Sequence, residues 1–142
     1  MKEYTIERLK NCIKCNDYRG FDSIDKDMIP ILIELNEKGW KTSYCCSGHI
    51  EEIERSGYWN AYISFSNKLK KVPDIILFKE KTRKESKNGM YNKFEKGSNS
   101  FYWYGSNNKK MSIEEKEQER KQFINNLFNR VKELPEYEYR NN

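Results

Sequence analysis

The chain has 142 residues, of which 36% are hydrophobic, 35% charged and 14% aromatic, with a net charge of +5. That length suits one domain spanning 1–142 and is short for two; no apolar run approaches the ~20 residues a membrane span needs, and Met1-Lys2-Glu3-Tyr4-Thr5 lacks the apolar stretch of a signal peptide. A cytoplasmic protein with a small aromatic-rich core is expected, and in that compartment the four cysteines read as thiols or metal ligands rather than disulfides.

In chain order, the first 22 residues carry a short helix over Tyr4–Leu9 that runs into a Cys12-x-x-Cys15 turn. Asp27 is placed to N-cap a helix over 27–38, with Pro30 in the first turn, where its missing N–H costs little. Met28, Ile31, Leu32 and Leu35 recur at helical spacing, and Gly39 sits where a terminating glycine belongs. Trp40–Tyr44 reads as a strand leading into a Cys45-Cys46-Ser47-Gly48-His49 turn, and residues 51–57 as a loop. Tyr58–Phe65 alternates, with Trp59, Ala61, Ile63 and Phe65 on the buried side. Ile75–Phe78 is a short apolar run, strand or helical turn, followed by an exposed loop over 79–89. Met90–Glu95 and Ser100–Tyr104 read as a hairpin. Ser112-Ile113-Glu114-Glu115 is a capping box opening a long helix over 113–134. Phe123, Ile124, Leu127, Phe128, Val131 and Leu134 are its apolar stripe, while Glu114–Gln122 is so charged that it is expected to project into water. The tail over 136–142 is expected to fray. The sum is an α+β domain: a small, mostly antiparallel sheet with helices near 27–38 and 113–134 packed on it.

Soft metal ligands are concentrated in the first third. Cys12 and Cys15 have knuckle spacing, and Cys46 and His49, the only histidine, form a Cys-x-x-His half-site about thirty residues on. Together they supply the four thiolate and imidazole ligands of a tetrahedral zinc shell. Cys45 is the alternative ligand, because adjacent residues of an extended chain point to opposite sides. Buried thiols that bind no metal are the competing reading. A nucleophilic Cys46 with His49 as base lacks a clear acidic partner, Asp22, Asp25 and Asp27 being the candidates.

Charge is uneven. Residues 67–97 net +6 and the remainder −1. Lys68, Lys70, Lys71, Lys81, Arg83 and Lys84 are therefore candidate contacts to nucleic acid or to an acidic protein, the alternative being a solvated lysine face. Tyr91, Tyr102 and Tyr104 add rings on which bases can stack, whereas Phe101 and Trp103 read as core. Ser47-Gly48 in a turn after a strand can offer backbone N–H groups to an anion.

Asp27-x-x-Pro30 followed by Leu35-Asn36-x-x-Gly39-Trp40-x-Thr42-Ser43-Tyr44-Cys45-Cys46-Ser47-Gly48-His49 resembles the N-terminal signature of the wybutosine-synthesis tRNA methyltransferase family. That signature has an acidic residue, a helix ending in Leu-Asn, an aromatic-Thr-Thr strand and Ser-Ser-Cys-Ser-Gly-Arg. Thr42, Cys46, Ser47 and Gly48 match it and Asp27 takes the acidic place; His49 stands where the family has arginine and Cys45 where it has serine. The resemblance implies an S-adenosylmethionine-dependent enzyme acting on RNA, with Ser47 and Gly48 cradling a cofactor or substrate group and Asp27 hydrogen-bonding it. The leading expectation is a non-enzymatic zinc-stapled module binding nucleic acid or an acidic protein, with no membrane partner; the alternative is a methyltransferase-like RNA-modifying enzyme.

Overall fold

The computed structural model describes residues 3–12, 24–46, 48–77, 91–95 and 97–138. Within them, helix α1 (Ile6–Cys12), a 3-10 helix (Lys26–Met28) and α2 (Ile29–Glu37) precede strand β1 (Thr42–Cys46). Helix α3 (Ile50–Ser56), strands β2 (Asn60–Phe65), β3 (Tyr91–Glu95) and β4 (Ser100–Tyr104), and helix α4 (Ile113–Lys132) follow. The four strands form one antiparallel sheet in the order β1-β2-β4-β3. The architecture is α+β, as the alternation of patterns predicts. No helix among the described residues is long and apolar enough to cross a membrane.

The predicted alternation in β2 holds. Ala61, Ile63 and Phe65 are buried and Asn60, Tyr62 and Ser64 only partly so. In register, Ala61 faces Trp103 and Ile63 faces Phe101, so one side of the sheet is a continuous apolar surface. The same core cluster takes buried residues from all four of these helices: Leu9 from α1, Ile31, Leu32 and Leu35 from α2, Ile53 from α3, and Phe123, Leu127 and Val131 from α4. The capping box of α4 is present, with the Ser112 hydroxyl accepting from Glu115 N–H at 3.1 Å and Ser112 N–H donating to the Glu115 carboxylate at 3.0 Å. At the end of α2, Gly39 adopts φ 90°, the left-handed conformation its position calls for.

Six expectations are corrected. Residues 51–57 are not a loop but helix α3, closed by Gly57 at φ 85°. One buried residue, Ile53, is too little to set a visible apolar period in a segment of two turns. Asp27 does not cap α2; it lies inside the 3-10 helix, and Met28 takes the capping position. β1 reaches Cys46, so Cys45 and Cys46 belong to the strand and pair with Ile63 and Tyr62. Ile75 is buried in irregular chain, neither strand nor helix; Phe78 and the 79–89 segment lie outside the described residues. The tail does not fray from 136: Tyr137 is buried, its N–H donates to Lys38 O at 2.9 Å, its hydroxyl accepts from Lys70 N–H at 2.7 Å, and its ring lies 5.1 Å from that of Trp40.

The largest correction concerns the charged half of α4. Lys116 and Arg120 are both buried, and with Phe123, Leu127 and Val131 they form one stripe at helical spacing. Lys116 Nζ donates to Gly57 O, satisfying a carbonyl at the end of α3. One turn on, Glu119 receives three hydrogen bonds: Trp59 Nε1–H at 2.8 Å and Ser106 N–H at 2.9 Å on one oxygen, and the Ser106 hydroxyl at 2.6 Å on the other. Phe123 then stacks on Trp59 at 4.8 Å and meets Trp103 at 5.3 Å. A carboxylate accepting three donors beside a fully buried indole locks the ring edge while the phenylalanine covers its face. Gly105 completes the packing, because a Cβ there would stand 2.2 Å from Trp59 Nε1.

Replacing Glu119 by alanine strands the Trp59 and Ser106 donors and is expected to lower unfolding free energy by about 3 kcal/mol. Urea denaturation at neutral pH measures this, with Glu119→Gln, which keeps an acceptor for the indole, losing markedly less.

Candidate functional site

The start of the 3-10 helix, the start of α3 and the buried stripe of α4 converge on a cleft of about 330 Å³, lined by Asp25, Asp27, His49, Glu51, Glu117 and Arg120, with Lys26 and Ile50 at its edge. This volume lies at the small end of the ~300–1,000 Å³ range of ligand sites. His49 Nε2 lies 3.3 Å from Asp25 Oδ1, with the imidazole half-exposed and the carboxylate 16% exposed. His49 is the N-cap residue of α3 and Asp25 that of the 3-10 helix, yet neither side chain makes a capping bond.

Arg120 is the floor. Its side chain is 10% exposed, its Nη1 donates to Asp27 Oδ2 at 2.8 Å, and its Nε donates to Glu117. Burial disfavours the guanidinium charge, but the Glu117 and Asp27 hydrogen bonds outweigh that and raise the group above its ordinary value, so the cation is held. A buried guanidinium needs such partners, since removing one strands a charge in low dielectric. Asp27 and Glu117 are thereby committed to Arg120. The cleft as a whole carries four carboxylates (Asp25, Asp27, Glu51, Glu117) against two fixed cations (Lys26, Arg120).

The predicted site residues divide between this cleft and other places. Asp27 and His49 both line the cleft. Gly48 is buried at φ 76°, where a Cβ would stand 2.7 Å from Asn60 O; glycine is needed for that approach of the turn to β2, and it places His49 at the helix start. Ser47, Cys15, Lys81, Arg83, Lys84 and the Cys46 side chain lie outside what is described. Cys45, paired with Ile63, packs against the core. Lys68, Lys70 and Lys71 are exposed on the segment that leaves β2.

Cys12 does not line the His49 cleft. It opens on a separate and larger cleft of about 610 Å³ beside Arg8, Asn11 and Glu37, at the last turn of α1. Its thiol donates to Leu9 O at 3.3 Å. Burial, then the nearby Glu37 charge, push the thiol up to about 11. Arg8 forms a two-pronged pair with Glu37 at 2.7 and 2.8 Å, so its charge is spent beside the thiol. Among the described residues no group of three or more His, Cys, Asp or Glu side chains could hold a metal ion.

Sequence reasoning missed Arg120, Glu117 and the pairing of Asp25 with His49. A signal was present: Lys116, Arg120, Phe123, Leu127 and Val131 keep one helical register, so the two cations continue the apolar stripe. No family model, curated protein or solved structure matches the chain.

The Cys12 thiol, with about 0.1% thiolate at pH 8 for a group near 11, is expected to alkylate far more slowly than a model thiol. Its rate should keep rising through pH 9 to 10. Peptide-level mass spectrometry of iodoacetamide-treated protein reads this directly.

Proposed function

We propose that the protein works through the His49 cleft as a small RNA-modifying enzyme of the methyltransferase-like kind. The observation that carries the reading is the convergence of Asp25, Asp27, His49 and Arg120 in one cleft. Asp27 is the acidic residue the family resemblance pointed to, and His49 ends the matching turn. S-adenosylmethionine is a methyl donor with a sulfonium and an ammonium group, and a cleft with surplus carboxylates suits both charges. Asp25 orients the imidazole, and His49 takes the proton of the attacking group on the RNA. Arg120 fixes Asp27 and Glu117 so that their oxygens face the cleft without reorganising.

The expected outcome is a rise in melting temperature with S-adenosylmethionine, because only ligands of the native state stabilise it. A much smaller rise with S-adenosylhomocysteine, which lacks the sulfonium charge, checks the electrostatic argument. Arg120→Met should abolish the shift. Equal shifts with the two compounds would remove the charge argument, and no shift with either would remove the reading.

A second reading is the zinc-stapled module in which Cys12, Cys15, Cys46 and His49 hold one ion and the lysines meet nucleic acid or an acidic protein. One observation favours it. A metal-bound histidine commonly gives its other ring N–H to a carboxylate, and His49 Nε2 stands 3.3 Å from Asp25 Oδ1, with Nδ1 left for a ligand role. Against it stands the Cys12 thiol, whose protonated form is favoured where it sits. Native mass spectrometry decides between the two: one zinc per chain, lost in Cys12→Ser, is the module's signature, and loss of the fold in chelator is its thermodynamic counterpart.

A further inference from the structure

The face of the sheet turned away from the helices is built of tyrosine. Alternation along β2 and β4 puts Asn60, Tyr62 and Ser64 beside Tyr104, Tyr102 and Ser100, and pairing with β3 adds Tyr91 and Lys93. Tyr91 and Tyr104 stack at 4.5 Å with 12° between planes. Tyr62 and Tyr102 lie 5.7 Å apart, Tyr102 and Tyr104 6.5 Å, and Tyr58 closes on Tyr104 at 6.4 Å. Five rings thus form one contiguous, half-buried patch. Next to it the Ser64 and Ser100 hydroxyls share a 2.7 Å hydrogen bond. Burial, then the neighbouring phenols of Tyr91, Tyr102 and Tyr58, raise the Tyr104 hydroxyl above its ordinary value, so it stays a donor at neutral pH.

Core burial does not account for these rings, since the helices bury their apolar residues on the opposite face. Aromatic cross-strand pairs stabilise a sheet modestly, and one or two would suffice for register. What distinguishes the patch is its surroundings. Lys93 sits within it, 3.2 Å from Glu95. Lys68 and Lys70 are exposed where the chain leaves β2, and Lys109 and Lys110 where it leaves β4, whereas Lys71 reaches over the Trp40 ring. Because β2 and β4 are antiparallel, those two lysine groups stand at opposite ends of the sheet. Flat rings in the middle and cations at both ends match a polyanion that carries flat bases.

We propose that this face is a stacking platform for single-stranded nucleic acid, with bases on Tyr62, Tyr102, Tyr104 and Tyr91 and phosphates on Lys93 and the lysines at the two ends. The proposal rests on the nucleic-acid partner of the second reading above and leaves its zinc aside; it is equally compatible with an enzyme whose substrate is RNA. Double-stranded nucleic acid keeps its bases inside the helix, so a duplex can use the lysines and not the rings. Base stacking on an aromatic side chain is tolerant of sequence, and broad rather than base-specific recognition follows.

The test is fluorescence anisotropy of the full chain with labelled oligouridine, oligothymidine and a duplex of equal length, each at about 50 and about 200 mM salt. Single strands are expected to bind at least tenfold tighter than duplex, and more weakly as salt rises. Tyr102→Ala should weaken single-strand binding about 5- to 100-fold, the range that loss of one stacked base implies, whereas Tyr102→Phe stays within about threefold because the ring is kept. Tyr62→Ala and Tyr62→Phe repeat the comparison if the first alanine variant does not fold. RNA and DNA strands distinguish the source, and tight binding of either supports the platform. Equal binding of duplex and single strand, unchanged by either alanine, would mean that lysines alone hold the polyanion and would overturn the platform. Absence of binding by any nucleic acid at low salt would overturn the partner itself.

Discussion

The contact on which the arrangement turns is the seat of α4 on the sheet. Phe123 lies over Trp59 and against Trp103, and one helical turn earlier Glu119 fixes the Trp59 indole edge together with Ser106. Indole burial provides the apolar gain, and the carboxylate removes the cost of an indole N–H out of water. Once those two residues are placed, the helix has no remaining rotational freedom. Arg120, three residues before Phe123, must face inward and toward Asp27. Lys116, a further turn back, must face the end of α3. The charged half of the helix is therefore drawn onto the protein by its apolar half.

That constraint explains why the cleft exists where it does. Three short elements that begin there, the 3-10 helix, α3 and the first half of α4, have few apolar residues of their own. Polar contacts replace packing between them: the ion pairs of Arg120 with Asp27 and Glu117, and the 3.3 Å approach of His49 to Asp25. Paired buried charges of this kind add little net stability against an apolar alternative, but each becomes costly to break alone. A site held this way has preset charges and little freedom to relax, which suits recognition of a charged ligand better than it suits stability. The backbone agrees, since Gly48 and its contact with Asn60 are what bring His49 to the head of α3.

The two faces of the sheet follow opposite rules. One buries Ala61, Ile63, Phe65, Phe101 and Trp103 under the helices. The other spends its positions on tyrosines that stack on one another beside Lys93. Phenol rings suit a surface that is partly wet, because the ring contributes area and the hydroxyl keeps a partner in water.

The local pattern was enough to determine the alternating β2 with its buried face, the β3–β4 hairpin, the capped C-terminal helix and its apolar stripe, and hence the α+β class. Each of these rests on periodicity or on a cap within a few residues, and both are written along the chain. Helix α3 was not legible, because a seven-residue helix with one buried side chain has no period to read. Nor was the role of Asp27, which a local rule assigns to capping and which the fold assigns to an arginine 93 residues away. Nor was the fate of the charged half of α4, where composition argues for water and the position of Phe123 argues for burial. Charge partners distant in sequence are chosen only when elements pack, and which tyrosines share a face with which lysines is decided only by strand order and register; for those, the tertiary structure alone had the answer.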